Sequence, residues 1–151
     1  MKIFEQLLAN RVLIVALLAW SVTQLLKLPL DYLVNHSWNW QVLYIPGGMP
    51  SSHSAISTAA ALAIGLYQGF DTPTFALAVA LTMIVIYDAT SVRHEAGIHA
   101  KWINMIVEEI FASSNIPKHR LREMLGHTPF EVLAGMLLGI LVTLLVWFLF
   151  P

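Results

Sequence analysis

The sequence predicts an all-α integral membrane bundle of about four spanning helices plus one amphipathic interfacial helix, and three observations carry that reading. Hydrophobic residues make up 58% of the 151-residue chain and charged residues 11%, with a mean hydropathy of +0.71. A soluble globular domain carries roughly 25% charged residues. Long apolar runs recur along the chain, bounded by proline, glycine or charge, and most of the charge collects in one stretch, Ala89 to Thr128. The length suits a single membrane domain over 1–151.

Arg11 is followed by VLIVALLAWSVTQLL (12–26), with Pro29 just beyond. The first span is therefore expected over 12–28, ending with Gln24 and Lys27 near one surface. The run lacks an A-x-A site and continues into Leu28 and Leu30, which argues against a cleaved signal peptide. AISTAAALAIGLYQGF (55–70) and PTFALAVALTMIVIYD (73–88) flank a short Gly/Asp/Pro turn and read as a hairpin of spans over 52–69 and 73–88. Their Ala, Gly, Ser and Thr residues permit the close approach that membrane helices need. In the polar segment 89–128, Ile98, Trp102, Ile103, Ile106, Val107, Ile110 and Phe111 recur at helical spacing, with His99, Lys101, Asn104, Glu108 and Glu109 on the other side. That pattern suits a helix lying in the interface or over the bundle. SSNIPKH (113–119) reads as a loop. Val132 to Phe150 holds no charged residue and gives the last span, 129–150.

Threading four spans through a bilayer puts Lys27, Ser51 to Ser54, Asp88 to Arg93 and Gly126 to Glu131 on one face, as a site for a lipid head group requires. That face carries Lys27, Arg93, Lys101, Lys118, Arg120 and Arg122, against Lys2 and Arg11 on the other. By the positive-inside rule the site faces the cytoplasm of a bacterial-type plasma membrane. The net charge of -1 makes nucleic acid a poor partner, and the absence of cysteine excludes disulfides, thiol nucleophiles and iron–sulfur clusters. Chemistry falls to His, Ser, Lys, Arg and carboxylates. Oligomeric state is not legible.

Three clusters could carry it. IPGGMPSSHSA (45–55) breaks an apolar chain and opens a helix at Ser51 or Ser52. Helix starts offer unpaired N–H groups to an anion, with His53 at the rim; the plain alternative is a cap with an interfacial histidine. LGHTPFEVLAG (125–135) has Thr128, Pro129 and Glu131 spaced as a capping box, which explains Glu131 structurally. His127 stands one turn from the same carboxylate, which could fix its tautomer, and the two roles are compatible. YDATSVRHEAGIHAKWIN (87–104) places Asp88 at a span end with Arg93 after it, either as an ion pair or with Arg93 as a two-point phosphate ligand. The histidines near Glu95 lack the tight spacing of a metal site, so no metal is expected. Arg120 and Arg122 also read as positive flanks of a span.

MPSSHSA, YDATSVRHEAGIHAKWIN and LREMLGHTPFEVLAGMLLG resemble the three signature blocks of the divergent branch of the type 2 phosphatidic acid phosphatase superfamily, which is related to acid phosphatases and vanadium-dependent haloperoxidases. The resemblance spans Gln24 to Gly139. It implies a membrane lipid-phosphate phosphatase, a hydrolase of lipid metabolism that acts on a phosphomonoester or diphosphate head group through a histidine nucleophile, without metal or other cofactor. PSSH (50–53) matches the P-S-G-H block with serine in place of glycine. Lys27 stands for the first lysine, without the Arg-Pro that ends the parent block. His127 and Glu131 reproduce H-x3-acid, with Leu121 where the pattern has arginine; Arg93 and His99 reproduce R-x5-H, with Ile103 where it has the acid. The His127 alignment is preferred because it keeps the carboxylate. The implied catalytic residues are His127, His53 and Glu131, with Lys27, Ser51, Ser52, Arg93 and Arg122 as phosphate ligands and Asp88 and His99 in support. The departures leave a non-catalytic membrane protein with an anion pocket, or a vanadate-dependent peroxidase relative, as rival readings.

Overall fold

Polar caps at the edges of apolar runs set the helix starts. The computed structural model describes residues 2–44, 48–110, 121 and 126–150, and its regular elements are all helical. A short α1 (Lys2–Ala9) leads to Asn10, whose side chain accepts the Leu13 N–H at 3.1 Å and opens α2 (Arg11–Asn35). Ser51 caps α3 (Ser52–Gln68), and Thr72 caps α4 (Pro73–Tyr87). Thr128 caps α6 (Pro129–Leu149). α4 and α6 both begin with proline, at the position where a missing N–H costs nothing.

Two elements differ from the sequence reading. α2 does not stop at 28: Pro29 lies inside it, and it ends at Asn35, where His36 turns left-handed (φ 51°) and donates its N–H to the Tyr32 carbonyl. Proline removes one donor from the ladder, but leaving the helix in an apolar medium would strand more backbone groups, so the helix runs on. Nor does α4 end at a boundary with a separate polar segment. A π segment, Asp88–Val92, joins it to α5 (Arg93–Ile110) in one helical stretch of 38 residues. DATSVRHEA contains neither proline nor glycine, so nothing in the backbone stops the helix when the side chains turn polar. α1 and a 3-10 turn at Trp40–Leu43 were not anticipated. The turn folds back on α2, where Gln24 Nε2 donates to the Leu43 carbonyl at 2.9 Å and Trp38 stacks on Tyr32.

α3 is the central helix, packed against α2, α4 and α6. Ser51, Ala55 and Ala59 meet Gly135, Gly139 and Thr143 in the same chain order, so α3 and α6 run parallel. A Cβ on Gly135 would collide with the Ser51 carbonyl oxygen, and one on Gly139 with that of Ala55. Val15 and Ala19 of α2 pack antiparallel onto Ala59 and Ala63, and Thr82 of α4 donates to the Ser57 carbonyl at 3.0 Å. Small residues fill the interior while Leu77, Ile84, Leu137 and Leu141 stand about three-fifths exposed. This reverses the soluble-protein pattern and suits a lipid surround. α2, the α4–α5 stretch and α6 are each long and apolar enough to cross a membrane. The protein is an all-α membrane bundle.

Its two ends differ. At one, the Arg11 guanidinium lies 5.4 Å from the centroid of the Tyr67 ring and donates to the Phe150 carbonyl. At the other, the start of α3, the start of α6 and the end of α4 gather around the buried Lys27 of α2.

Candidate active site

The parallel packing of α3 and α6 places two helix N-termini side by side. The Ser51 N–H donates to the Glu131 carbonyl at 3.0 Å, which fixes their register. Ser51 Oγ accepts from the Ser54 N–H at 3.3 Å and from the Ser54 hydroxyl at 3.0 Å. Ser51 and Ser52 are both buried, while His53 stands exposed on the first turn. An α-helix gives its first N–H groups no internal acceptor, so those of Ser52 and His53 are open to an anion at this rim.

On α6 one carboxylate oxygen serves two donors. Glu131 Oε2 accepts the Thr128 N–H at 3.2 Å, and the Thr128 hydroxyl accepts the Glu131 N–H at 3.3 Å, completing the capping box. The same Oε2 lies 2.8 Å from His127 Nδ1. A carboxylate can only accept, so Nδ1 carries the proton in this bond and Nε2 remains available for chemistry. His127 is only 6% exposed. Its backbone N–H donates to the Ala89 carbonyl at 3.0 Å, and Gly126 lies so close to the His94 backbone that a Cβ there would overlap it.

His53 and His127 face one another across the two helix starts, with ring centroids 6.4 Å apart and planes tilted by 56°. Arg93, Lys27 and Asp88 lie within electrostatic reach of His53, and Glu131 within that of Lys27. Arg93 Nε donates to Asp88 Oδ2 at 2.6 Å, an ion pair in which both side chains remain about two-fifths exposed. An α-helix pairs residues three or four apart, not five. The π segment between Asp88 and Arg93 brings them together.

His53, His127, Glu131, Lys27, Arg93 and Asp88 thus gather at one end of the bundle, with Ser51 and Ser52 in the supporting cap. His99 stands on the exposed surface of α5, and Arg122 and Arg120 lie outside the described residues. Among the described residues no group of three His, Asp or Glu side chains is placed to hold a metal ion. Sequence reasoning missed two features. The π segment had one visible signal, the D-x4-R spacing. Asn104 had none: its amide donates to the Leu121 carbonyl at 2.9 Å and its oxygen accepts the Leu121 N–H at 2.8 Å, tying α5 to the segment that leads into His127.

Together these groups can bind a tetrahedral anion and hold one histidine in a fixed tautomer opposite a second. The chain is 36% identical, over 96% of its own length and 99% of the other's, to a protein of Bacillus subtilis (strain 168) named the uncharacterized membrane protein YuiD. No solved structure matches it. Residues 8–142 match the divergent PAP2 family, a span that includes every candidate site residue, and the chain belongs to that family.

Proposed function

We propose that the protein is a phosphatase that hydrolyses the phosphate head group of a membrane lipid through a covalent phosphohistidine. The observation that carries this reading is the 2.8 Å bond from His127 Nδ1 to Glu131 Oε2, made at a helix start beside that of His53. His127 Nε2 attacks phosphorus, the N–P bond forms, and the P–O bond to the lipid breaks. His53 gives its proton to the departing lipid oxygen. Water, deprotonated by His53, then attacks the phosphohistidine and releases inorganic phosphate. Arg93, Lys27 and the open N–H groups of α3 stabilise charge on the equatorial oxygens, the main source of catalysis for phosphoryl groups. Arg122 belongs to the same proposal as a further phosphate ligand and His99 as a supporting residue.

The four-span reading supplies the geometry for a lipid substrate. α3 has 17 residues, close to the lower limit for a spanning helix, and its packing between α2, α4 and α6 buries its backbone. With four spans the site opens at a membrane surface, which the charge bias assigns to the cytoplasm of a plasma membrane. The test is a phosphate-release assay on purified protein with phosphatidic acid, phosphatidylglycerophosphate and a prenyl diphosphate. His53→Ala and His127→Ala are each expected to lower turnover at least about 10²-fold. Near wild-type rates in both variants would refute the mechanism.

A further inference from the structure

The π segment has a consequence beyond the ion pair. In an unbroken α-helix the Arg93 N–H would bond the carbonyl four residues back, at Ala89. Here it bonds Asp88 instead. The Ala89 carbonyl thereby loses its α-helical donor, the Arg93 N–H, and it accepts the His127 N–H at 3.0 Å. The fit is close on that side, because the space a Gly126 Cβ would need is taken by the His94 backbone and the Ala89 oxygen. Five residues span about 1.4 turns of an α-helix, which would point Asp88 and Arg93 to different sides. The wider π turn puts them on one side, 2.6 Å apart and within electrostatic reach of His53. One irregularity of a single turn therefore does two things at the same end of the bundle, and π turns are common where a helix serves a site.

We propose that the π segment Asp88–Val92 is a positioning device for the reaction: its freed Ala89 carbonyl anchors the backbone of His127, while its wider turn aims Arg93 at the phosphate. This rests on the phosphatase reading, with His127 as nucleophile. Gly126 is the matching residue on the facing segment, where the lack of a side chain lets the anchor close.

Two variants test it in the full-length protein in lipid nanodiscs. Deleting Ser91 shortens the segment by the residue that distinguishes a π turn from an α turn. Gly126→Ala alters no residue of the segment and no site side chain, but it pushes a methyl group into the anchor and so displaces His127. Misplacing a reacting group by about 1 Å can cost 10²-fold in rate. Gly126→Ala is accordingly expected to lower kcat at least about 10-fold on the best lipid phosphate of the panel, with KM within about two-fold. Backbone hydrogen exchange at His127 supplies the readout independent of activity: slow in the wild type, fast in both variants. A folded Gly126→Ala protein with wild-type kcat, or wild-type exchange at His127 as fast as in the variants, would overturn the anchor. Wild-type protein inactive on the whole panel would instead sink the phosphatase reading, and with it the device's catalytic purpose.

Discussion

Glu131 shows how one carboxylate oxygen can serve a helix cap and a histidine together. The capping box leaves its Oε2 facing back along the chain, and His127 precedes the cap, so the same oxygen takes both donors. The sequence showed the T-P-x-E spacing and the neighbouring histidine, and the bond between them follows from helix-start geometry. Glu131→Gln retains a group able to cap but removes the charge that stabilises an imidazolium. It is expected to remain folded and to lose at least about 10²-fold in kcat, measured by phosphate release beside a thermal melt. Arg93 invites a second substitution at this scale. Its Nε is engaged with Asp88, which leaves the terminal nitrogens as a planar pair for two oxygens of one phosphate. Arg93→Lys keeps the charge and loses that fork. KM is expected to rise and kcat to fall in a protein with an unchanged melt; unchanged kinetics would assign Arg93 a structural role alone.

At the scale of elements, helix starts were legible and helix continuity was not. Ser51 and Thr128 read as caps in the sequence and cap helices in the structure, and Asn10 and Thr72, also short polar residues before apolar runs, do the same. Reading Pro29 as a stop and Asp88 as a boundary both failed: past Pro29 an apolar surround leaves unwound backbone without partners, and from Asp88 on neither proline nor glycine interrupts the stretch DATSVRHEA. The close contact of α3 and α6 also exceeded what the sequence revealed, because a glycine in an apolar run does not name the helix it lets approach; Gly135 and Gly139 admit Ser51 and Ala55. Gly139→Leu must force α6 away from the Ala55 carbonyl. The expected cost is about 1–3 kcal/mol of stability, seen as a lower melting temperature, and activity falls with it as the two histidines separate. A melt unchanged from wild type would mean that the helices do not meet at that residue.

For the whole molecule, the gathering of these side chains at one end follows from the order and direction of the helices; the sequence reading expected it from the parity of four spans. Orientation in the membrane rests on the charge bias. It can be read with single cysteines because the chain contains none. An impermeant maleimide applied to intact cells is expected to label Asp71→Cys, in the exposed turn between α3 and α4, and to spare Glu95→Cys on the exposed surface of α5. The reverse pattern would turn the site outward, and labelling of both would break the four-span thread.

If His127 accepts the phosphoryl group, the phosphohistidine can be trapped during turnover. Wild-type protein is mixed with phosphatidic acid carrying a radiolabelled phosphate, quenched within one turnover under alkaline conditions that preserve phosphohistidine, digested and mapped by mass spectrometry. Label is expected on His127 and absent from His127→Ala. An active enzyme carrying its label on another residue, such as His99, or forming no phosphoprotein during turnover, would contradict His127 as the phosphoryl acceptor.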